Sequence, residues 1–358
     1  MNAPTVSRKE GPLPIGVGSA LLAALLFGVS TPFAKLLLGN VSPVLLAALF
    51  YLGSGVGLSF LYLVRRRRTK AEAPIARKDI PWLAAASFFG GILGPVLLMI
   101  GLSTTTASSA SLLLNMESVF TVALAWFIFR ENFDRRIAIG MVFILAGGVL
   151  LSFHGSKGTT LSSGSIAVVA ACLCWGIDNN FTQKVSASDP VQIAAIKGIA
   201  AGSANLVIAV LLGATLPPII SIAASMLVGF FCYGISLVMF VFALRRVGTA
   251  RTSAYFSLAP FIGATVSIFL LREFPRASLL FAALFMGTGV WLHLTERHSH
   301  EHIHEAITHS HRHVHDEHHQ HEHDGDIDQA EPHSHEHTHG AITHTHPHYP
   351  DIHHRHPH

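Results

Sequence analysis

Charge is what this chain has least of. Asp, Glu, Lys and Arg make up 13% of its 358 residues, against 50% hydrophobic residues and a mean hydropathy of +0.47. An ordinary soluble domain carries about 25% charged residues, so this composition excludes one and leaves an integral membrane protein. Cysteine is scarce too. Cys172, Cys174 and Cys232 all lie inside apolar runs, where they read as small hydrophobes with no disulfide framework, and the spacing of the first two does not suit a shared thiolate site on a helix. No Gly-x-x-x-x-Gly-Lys-Ser/Thr loop occurs, which excludes ATP hydrolysis through a P-loop. No nucleophile and base form a recognisable pair, so an enzyme is not expected, and nothing in the chain points to nucleic acid as a partner.

What is abundant is long apolar sequence. Ten runs occupy Leu13–Leu38, Val44–Val64, Ile80–Leu102, Ala107–Phe129, Ile137–Phe153, Ile166–Phe181, Val191–Leu212, Ile219–Leu244, Tyr255–Leu271 and Leu279–Leu294. Most are long enough to cross a hydrocarbon layer of roughly 30 Å as a helix. They lack the alternation of a barrel strand, so the fold class expected is all-α integral membrane with ten transmembrane helices. Arg8 and Lys9 precede the first run, but it is long and has no clear small-residue cleavage site, so it reads as a retained span. Sixteen basic residues fall in the loops of one side, seven of them in "RRRRTKAEAPIARK" from Arg65, against Lys35, Lys157, Arg272 and Arg276 on the other. That asymmetry puts both termini in the cytoplasm of a cell with an inner membrane.

The body repeats itself. "GSALLAALLFGVSTPFAK" from Gly18 matches "GSIAVVAACLCWGIDNNFTQK" from Gly164, and "SLLLNMESVFTVALAWFIFRE" from Ser111 matches "SAYFSLAPFIGATVSIFLLRE" from Ser253, laying Arg130-Glu131 over Arg272-Glu273. With five runs per copy, the second enters from the opposite face, an inverted repeat of the kind found in secondary transporters. The divisions expected are a cytoplasmic start at 1–13, repeats at 14–153 and 164–294 joined by a linker at 154–163, and a tail at 295–358.

These features together resemble the EamA-type members of the drug/metabolite transporter superfamily. The resemblance covers residues 14–294 and rests on the two five-helix halves, on Phe27-Gly28 and Trp175-Gly176 early in each, on the Arg-Glu closing each fourth helix, and on "SLAPF" at Ser257–Phe261. The family's usual fourth-helix proline is Pro260 in the second half but Ser118 in the first. The resemblance implies a carrier with a central cavity between its halves and a small-molecule metabolite or drug as cargo. A homodimer stays open.

Ionisable groups at membrane depth are costly and therefore mark candidate sites. Glu117, near the middle of the fourth run and two residues after Asn115, reads either as a cavity carboxylate able to hold a cation or exchange a proton, or as a polar group satisfied by a neighbouring helix. Asp178 and Lys197 fall within about one helical turn of each other in depth across a hairpin, and read either as a structural ion pair or as substrate contacts. "CWGIDNN", with Trp175, Asp178 and Asn179, is the candidate binding segment of the second half. Lys35 reads as a snorkelling side chain. Glu131 and Glu273 read as partners of the arginines before them, and "TTTASSAS" from Thr104 as a close-packing stripe.

The last stretch is of another kind. "HSHEHIHEAITHSHRHVHD" begins at His298 and "HSHEHTHGAITHTHPHYPD" at His333, and the tail holds 23 of the 25 histidines with a formal charge of −9, leaving +12 for the rest. The first copy supplies His298, His300, His302, His304, His309, His311, His313, His315, His318, His319, His321 and His323. The second supplies His333, His335, His337, His339, His344, His346, His348, His353, His354, His356 and His358. So polar a segment is expected to be disordered without a ligand. Its neutral imidazoles suit Zn, Ni, Co or Cu, while transport itself needs no cofactor. A pH-dependent polar tail is the plainer alternative, and "DGDID" from Asp324 is too short for a calcium loop.

The leading expectation is a secondary carrier of small metabolites whose tail binds metal. The alternatives are a carrier of Zn, Ni, Co or a metal chelate loaded by the tail, and a membrane-anchored metal sensor or store.

Overall fold

Each of the ten apolar runs falls on helix in the computed structural model of the chain, which describes residues 15–66, 75–129, 135–154, 160–185, 188–295, 299–304, 307–313, 333–339 and 342–347. The helices are α1 (Ile15–Gly28), α2 (Ser30–Leu37), α3 (Pro43–Arg66), α4 (Ile80–Ala86), α5 (Gly94–Thr104), α6 (Ala107–Leu113), α7 (Met116–Phe129), α8 (Arg135–Ser152), α9 (Ser163–Val185), α10 (Pro190–Leu211), α11 (Ile219–Val228), α12 (Ser236–Phe256), α13 (Ala259–Leu270) and α14 (Ala277–Leu294). Among the described residues seven stretches are long and apolar enough to cross a membrane, and two shorter apolar helices, Ala259–Leu270 and Ala277–His293, follow them. α9 stands outside both groups and carries Asp178, Asn179 and Asn180 in its second half. Large side chains turned outward, among them Phe127, Leu211, Phe269 and Trp291, give the bundle the apolar exterior of a multi-pass membrane protein.

Local chemistry sets the ends and breaks. Asp189 caps α10 by accepting from the Val191 amide at 2.8 Å, with Pro190 in the first turn, and Gly213 at φ +76° terminates it. Pro260 opens α13 after the break that follows α12. In the first half, where Ser118 stands in place of that proline, side chains make the equivalent break between α6 and α7. The Asn115 amide donates to the Leu112 carbonyl at 3.0 Å, and the Ser118 hydroxyl donates to the Asn115 carbonyl at 2.7 Å.

Two π-helical segments interrupt the third long rod of each half, Ser87–Leu93 between α4 and α5 and Gly229–Ile235 between α11 and α12. Such widened turns strand backbone carbonyls and recur at functional sites.

Glycines let the rods cross almost backbone on backbone. Gly140 of α8 lies against Gly289 of α14, while Gly147 of α8 lies against Ala282 and Met286 of α14. The crossing of α3 with α10 repeats the device, with Gly55 against Gly198 and Gly202 against Leu52. The main core lies between these crossings, with Phe50, Leu98, Leu102, Leu113, Ile144 and Met286 almost wholly buried.

Outside the helices, Phe153–His154 (β1) pairs with Thr160–Leu161 (β2). In the tail, Ser299–His304 (β3) pairs antiparallel with Ile342–Pro347 (β6), and Ile307–His313 (β4) with His333–His339 (β5). The His-x-His alternation has a period of two, the period of a strand.

Candidate functional site

The sequence-predicted residues of the body gather mostly on α7, α9 and α10, in two linked polar groups. In the first, the Asn179 amide donates to Glu117 Oε1 at 2.8 Å and to Thr121 Oγ1 at 3.2 Å. Thr121 Oγ1 in turn donates to the Glu117 backbone carbonyl at 2.8 Å. Glu117 sits in the first turn of α7, where the positive end of the helix dipole favours a carboxylate. Glu117 is partly buried, whereas Asn179 is exposed.

The second group is the ion pair. Lys197 Nζ reaches Asp178 Oδ1 at 2.6 Å and Oδ2 at 2.8 Å, with the two side chains 12% and 11% exposed. Thr182 donates to Asp178 Oδ1 at 2.8 Å, so the carboxylate is satisfied from two helices. Gly90 of the first π segment makes room for it, since a Cβ at that position would collide with the Asp178 carboxylate.

Trp175 joins the site through that same glycine. Its Nε1 donates to the Gly90 carbonyl at 3.0 Å, and Tyr51 Oη donates to the same oxygen at 2.7 Å. Asn205 donates to the next carbonyl, Gly91 O, at 3.1 Å. Side chains of α3, α9 and α10 thus hold the carbonyls that the widened turn releases. Tyr233 of the second π segment stacks edge-on against Tyr51 and Phe50, with Phe27 beside it.

Asn115 does not join either group. It is buried, bonded to the Leu112 carbonyl and 3.9 Å from the Met286 sulfur, and its part is to shape the break above Glu117. Residues that sequence reasoning missed are Tyr51, Gly90, Thr121 and Thr182. A tyrosine or threonine inside an apolar run carries no sign of which neighbour it meets, and the Gly90-Gly91 pair was the one available signal of a backbone feature.

A sequence profile of the EamA-like transporter family matches residues 14–153 and again residues 162–295. The chain belongs to the EamA-like transporter family. It is 30% identical over 295 residues to an uncharacterized transporter of Methanothermobacter thermautotrophicus, covering 77% of this chain and 85% of that one. It is 27% identical over 192 residues to a probable amino-acid metabolite efflux pump of Salmonella typhimurium, covering 52% of this chain and 57% of that one. A crystal structure aligns with a TM-score of 0.57 over 77% of this chain and 95% of the other at 18% identity, a likeness of fold. An EamA transporter is not an enzyme, and the lipid bilayer and a small-molecule substrate come with the family.

Two polar residues of this EamA chain depart from what their sequence neighbours suggest. Lys35 does not snorkel freely, because its Nζ donates to the carbonyls of Leu102 at 2.6 Å and Thr105 at 2.8 Å. Glu273 does not serve the arginine before it. Its Oε1 and Oε2 accept from the amides of Ala107 at 2.8 Å and Ser108 at 2.9 Å. The cause is backbone geometry, since the free ends of α5 and α6 offer stronger partners than an exposed neighbour. Within "TTTASSAS", Thr105 and Thr106 form the turn between those ends, with Thr106 capping α6. Glu131 lies outside the described residues.

All three cysteines are buried. His293 Nε2 bonds the Ile137 carbonyl at 3.1 Å and so ties α14 to α8. Among the described residues no three His, Cys, Asp or Glu side chains gather as a metal-binding group. Of the tail histidines, His298, His315, His318, His319, His321, His323, His348, His353, His354, His356 and His358 lie outside the described residues.

Proposed function

We infer that the protein is a secondary carrier that moves a small metabolite by alternating access between two inverted five-helix halves, with ten spans and both termini on the cytoplasmic side of the inner membrane. The observation that carries this reading is the polar cluster of Glu117, Asn179, Asp178 and Lys197, set deep among apolar helices where rods from the two halves meet. The contacts of α8 with α14 support the inverted arrangement. Gly140 opposite Gly289 and Gly147 opposite Ala282 are the two ends of one two-fold-like crossing.

The chemistry of the cluster suits a cargo with an ammonium or other N–H-rich pole. Asp178 already has its cation, while Glu117 is held by an amide and Asn179 keeps its carbonyl oxygen for a donor. Tyr51, Trp175 and Tyr233 offer aromatic surface beside it. The Salmonella relative, named for amino-acid metabolite efflux, is in keeping with such a cargo. The tail acts separately, as a cytoplasmic chelator of Zn, Ni, Co or Cu that gives capacity without a fixed geometry.

Counterflow in proteoliposomes tests this reading, using radiolabelled amino acids and simple amines as cargo panel and labelled zinc as control. A saturable flux that falls at least about tenfold in Glu117→Gln, as expected for loss of a charge-assisted contact, supports it. Flux of zinc alone, surviving truncation after Thr295, replaces it with a metal carrier. No saturable flux from any member of the panel removes it.

A further inference from the structure

The rod that runs from Arg77 to Thr104 lies antiparallel along α9, the helix that carries Trp175 and Asp178. Leu83 packs with Val185, Gly90 faces the Asp178 carboxylate, Gly94 faces Trp175, and Gly101 faces Val168 and the Gly164 carbonyl. Phe181 of α9 meets two aromatic rings of the rod, Trp82 at 5.6 Å and Phe89 at 6.4 Å between centroids. Because α9 is not itself one of the membrane-length apolar stretches, its polar half depends on a wall of this kind.

The start of the rod is unlike the rest of it. Its 28 residues span about 42 Å at 1.5 Å each, the thickness of a bilayer with its headgroups, which sets Arg77 and Lys78 at headgroup level. Both are exposed, and among the described residues neither has a hydrogen-bond or ion-pair partner. Asp79, the next residue, bonds back to the Ala76 carbonyl through its amide. Ile80 and Trp82 follow, 54% and 42% exposed. Trp82 lies about 8 Å along the rod from Arg77, where headgroups give way to acyl chains. Just before the turn, Ile75 packs on the cluster of Leu83, Val185 and Ile193, so the two cations stand on a turn fastened to α9 and α10.

Two free cations above an exposed isoleucine and indole match a phosphate that carries acyl chains. A soluble anion would use the cations and leave the apolar surface bare. The same loop holds five further basic residues from Arg65 to Lys70, which draw anionic lipid toward this face without fixing its place.

We propose that Arg77, Lys78 and Trp82 bind the headgroup of an anionic phospholipid, and that the bound lipid holds the rod against α9 through the Trp82–Phe181 contact. The phosphate accepts from the Arg77 guanidinium and the Lys78 ammonium, while an acyl chain lies along Ile80 and Trp82. The lipid thereby steadies the helix on which Asp178 sits. This site lies apart from the polar cluster and goes beyond the carrier reading, and its test needs no cargo, so a failed flux assay leaves it standing.

The test uses the full chain in nanodiscs of phosphatidylcholine with stepped fractions of phosphatidylglycerol. Melting temperature reports stabilisation, and native mass spectrometry reports the phosphatidylglycerol retained. In the unmodified chain both rise and saturate. The half-saturating fraction increases about fivefold for each of Arg77→Gln and Lys78→Gln, and about 25-fold for the pair. Removing two charges of the same loop instead, with Arg68→Gln and Lys70→Gln, moves it less than about twofold. Phe181→Leu retains the lipid as before but no longer gains melting temperature from it, each variant being compared with itself in phosphatidylcholine alone. Equal shifts in the two charge pairs mean diffuse attraction and overturn the proposal. A full melting gain in Phe181→Leu overturns the route through that ring, and the same gain from inorganic phosphate in phosphatidylcholine discs overturns the lipid as ligand.

Discussion

Asp178 and Lys197 form the most demanding residue-level contact in the body, since each is almost fully buried and has the other as its charge partner. Removing one leaves a buried charge unpaired. Lys197→Met or Asp178→Asn is expected to cost about 3–5 kcal/mol, and the double variant less than the two losses added. Thermal unfolding of purified protein in detergent measures this, and additive losses disprove the coupling. Arg272 allows the opposite change. Its φ of +53° suits glycine, so Arg272→Gly is expected to gain about 1 kcal/mol in the same assay while leaving Glu273 in place. The ion pair was legible in the sequence because spacing along a hairpin fixes relative depth. The partners of Lys35 and Glu273 were not, because they are backbone groups freed by a turn. Those groups exist only once α5 and α6 have ended where they do.

At the scale of elements, the apolar runs announced their helices because length and hydropathy decide that a segment leaves water. They said nothing of the two π segments, in the first of which the Gly90 and Gly91 carbonyls meet Tyr51, Trp175 and Asn205 of other helices. Tyr51→Phe should cost only about 1 kcal/mol, since Trp175 still serves the Gly90 carbonyl. Helix crossings answer to glycine more sharply. A Cβ at Gly53 would collide with the backbone of Met226, and one at Gly229 with the backbone of Phe50, whereas one at Gly18 of α1 meets nothing within 4 Å. Gly53→Ala and Gly229→Ala are therefore expected to lose about 1–3 kcal/mol or more, and Gly18→Ala to gain up to about 1 kcal/mol. Unfolding midpoints of the three variants, ranked in any other order, contradict the crossing.

The whole molecule divides into an apolar, basic body and an acidic, histidine-laden tail, a division of composition plain in the amino-acid sequence. Truncation after Thr295 is expected to leave the melting temperature of the body unchanged and to abolish high-capacity zinc binding, both readable on one preparation by calorimetry. A melting shift on truncation would mean that the tail braces the helices. The self-matching contacts of α8 with α14 and of α3 with α10 bear on how such a chain is inherited. Backbone meets backbone at these crossings, through Gly140 and Gly289 and through Gly55 and Gly198, so the covalent link at 155–159 is not what aligns the two halves. A gene cut at that link and expressed as two separate reading frames should still yield polypeptides that find each other in the bilayer and co-purify through a tag on one. The unit of assembly would then be half a chain.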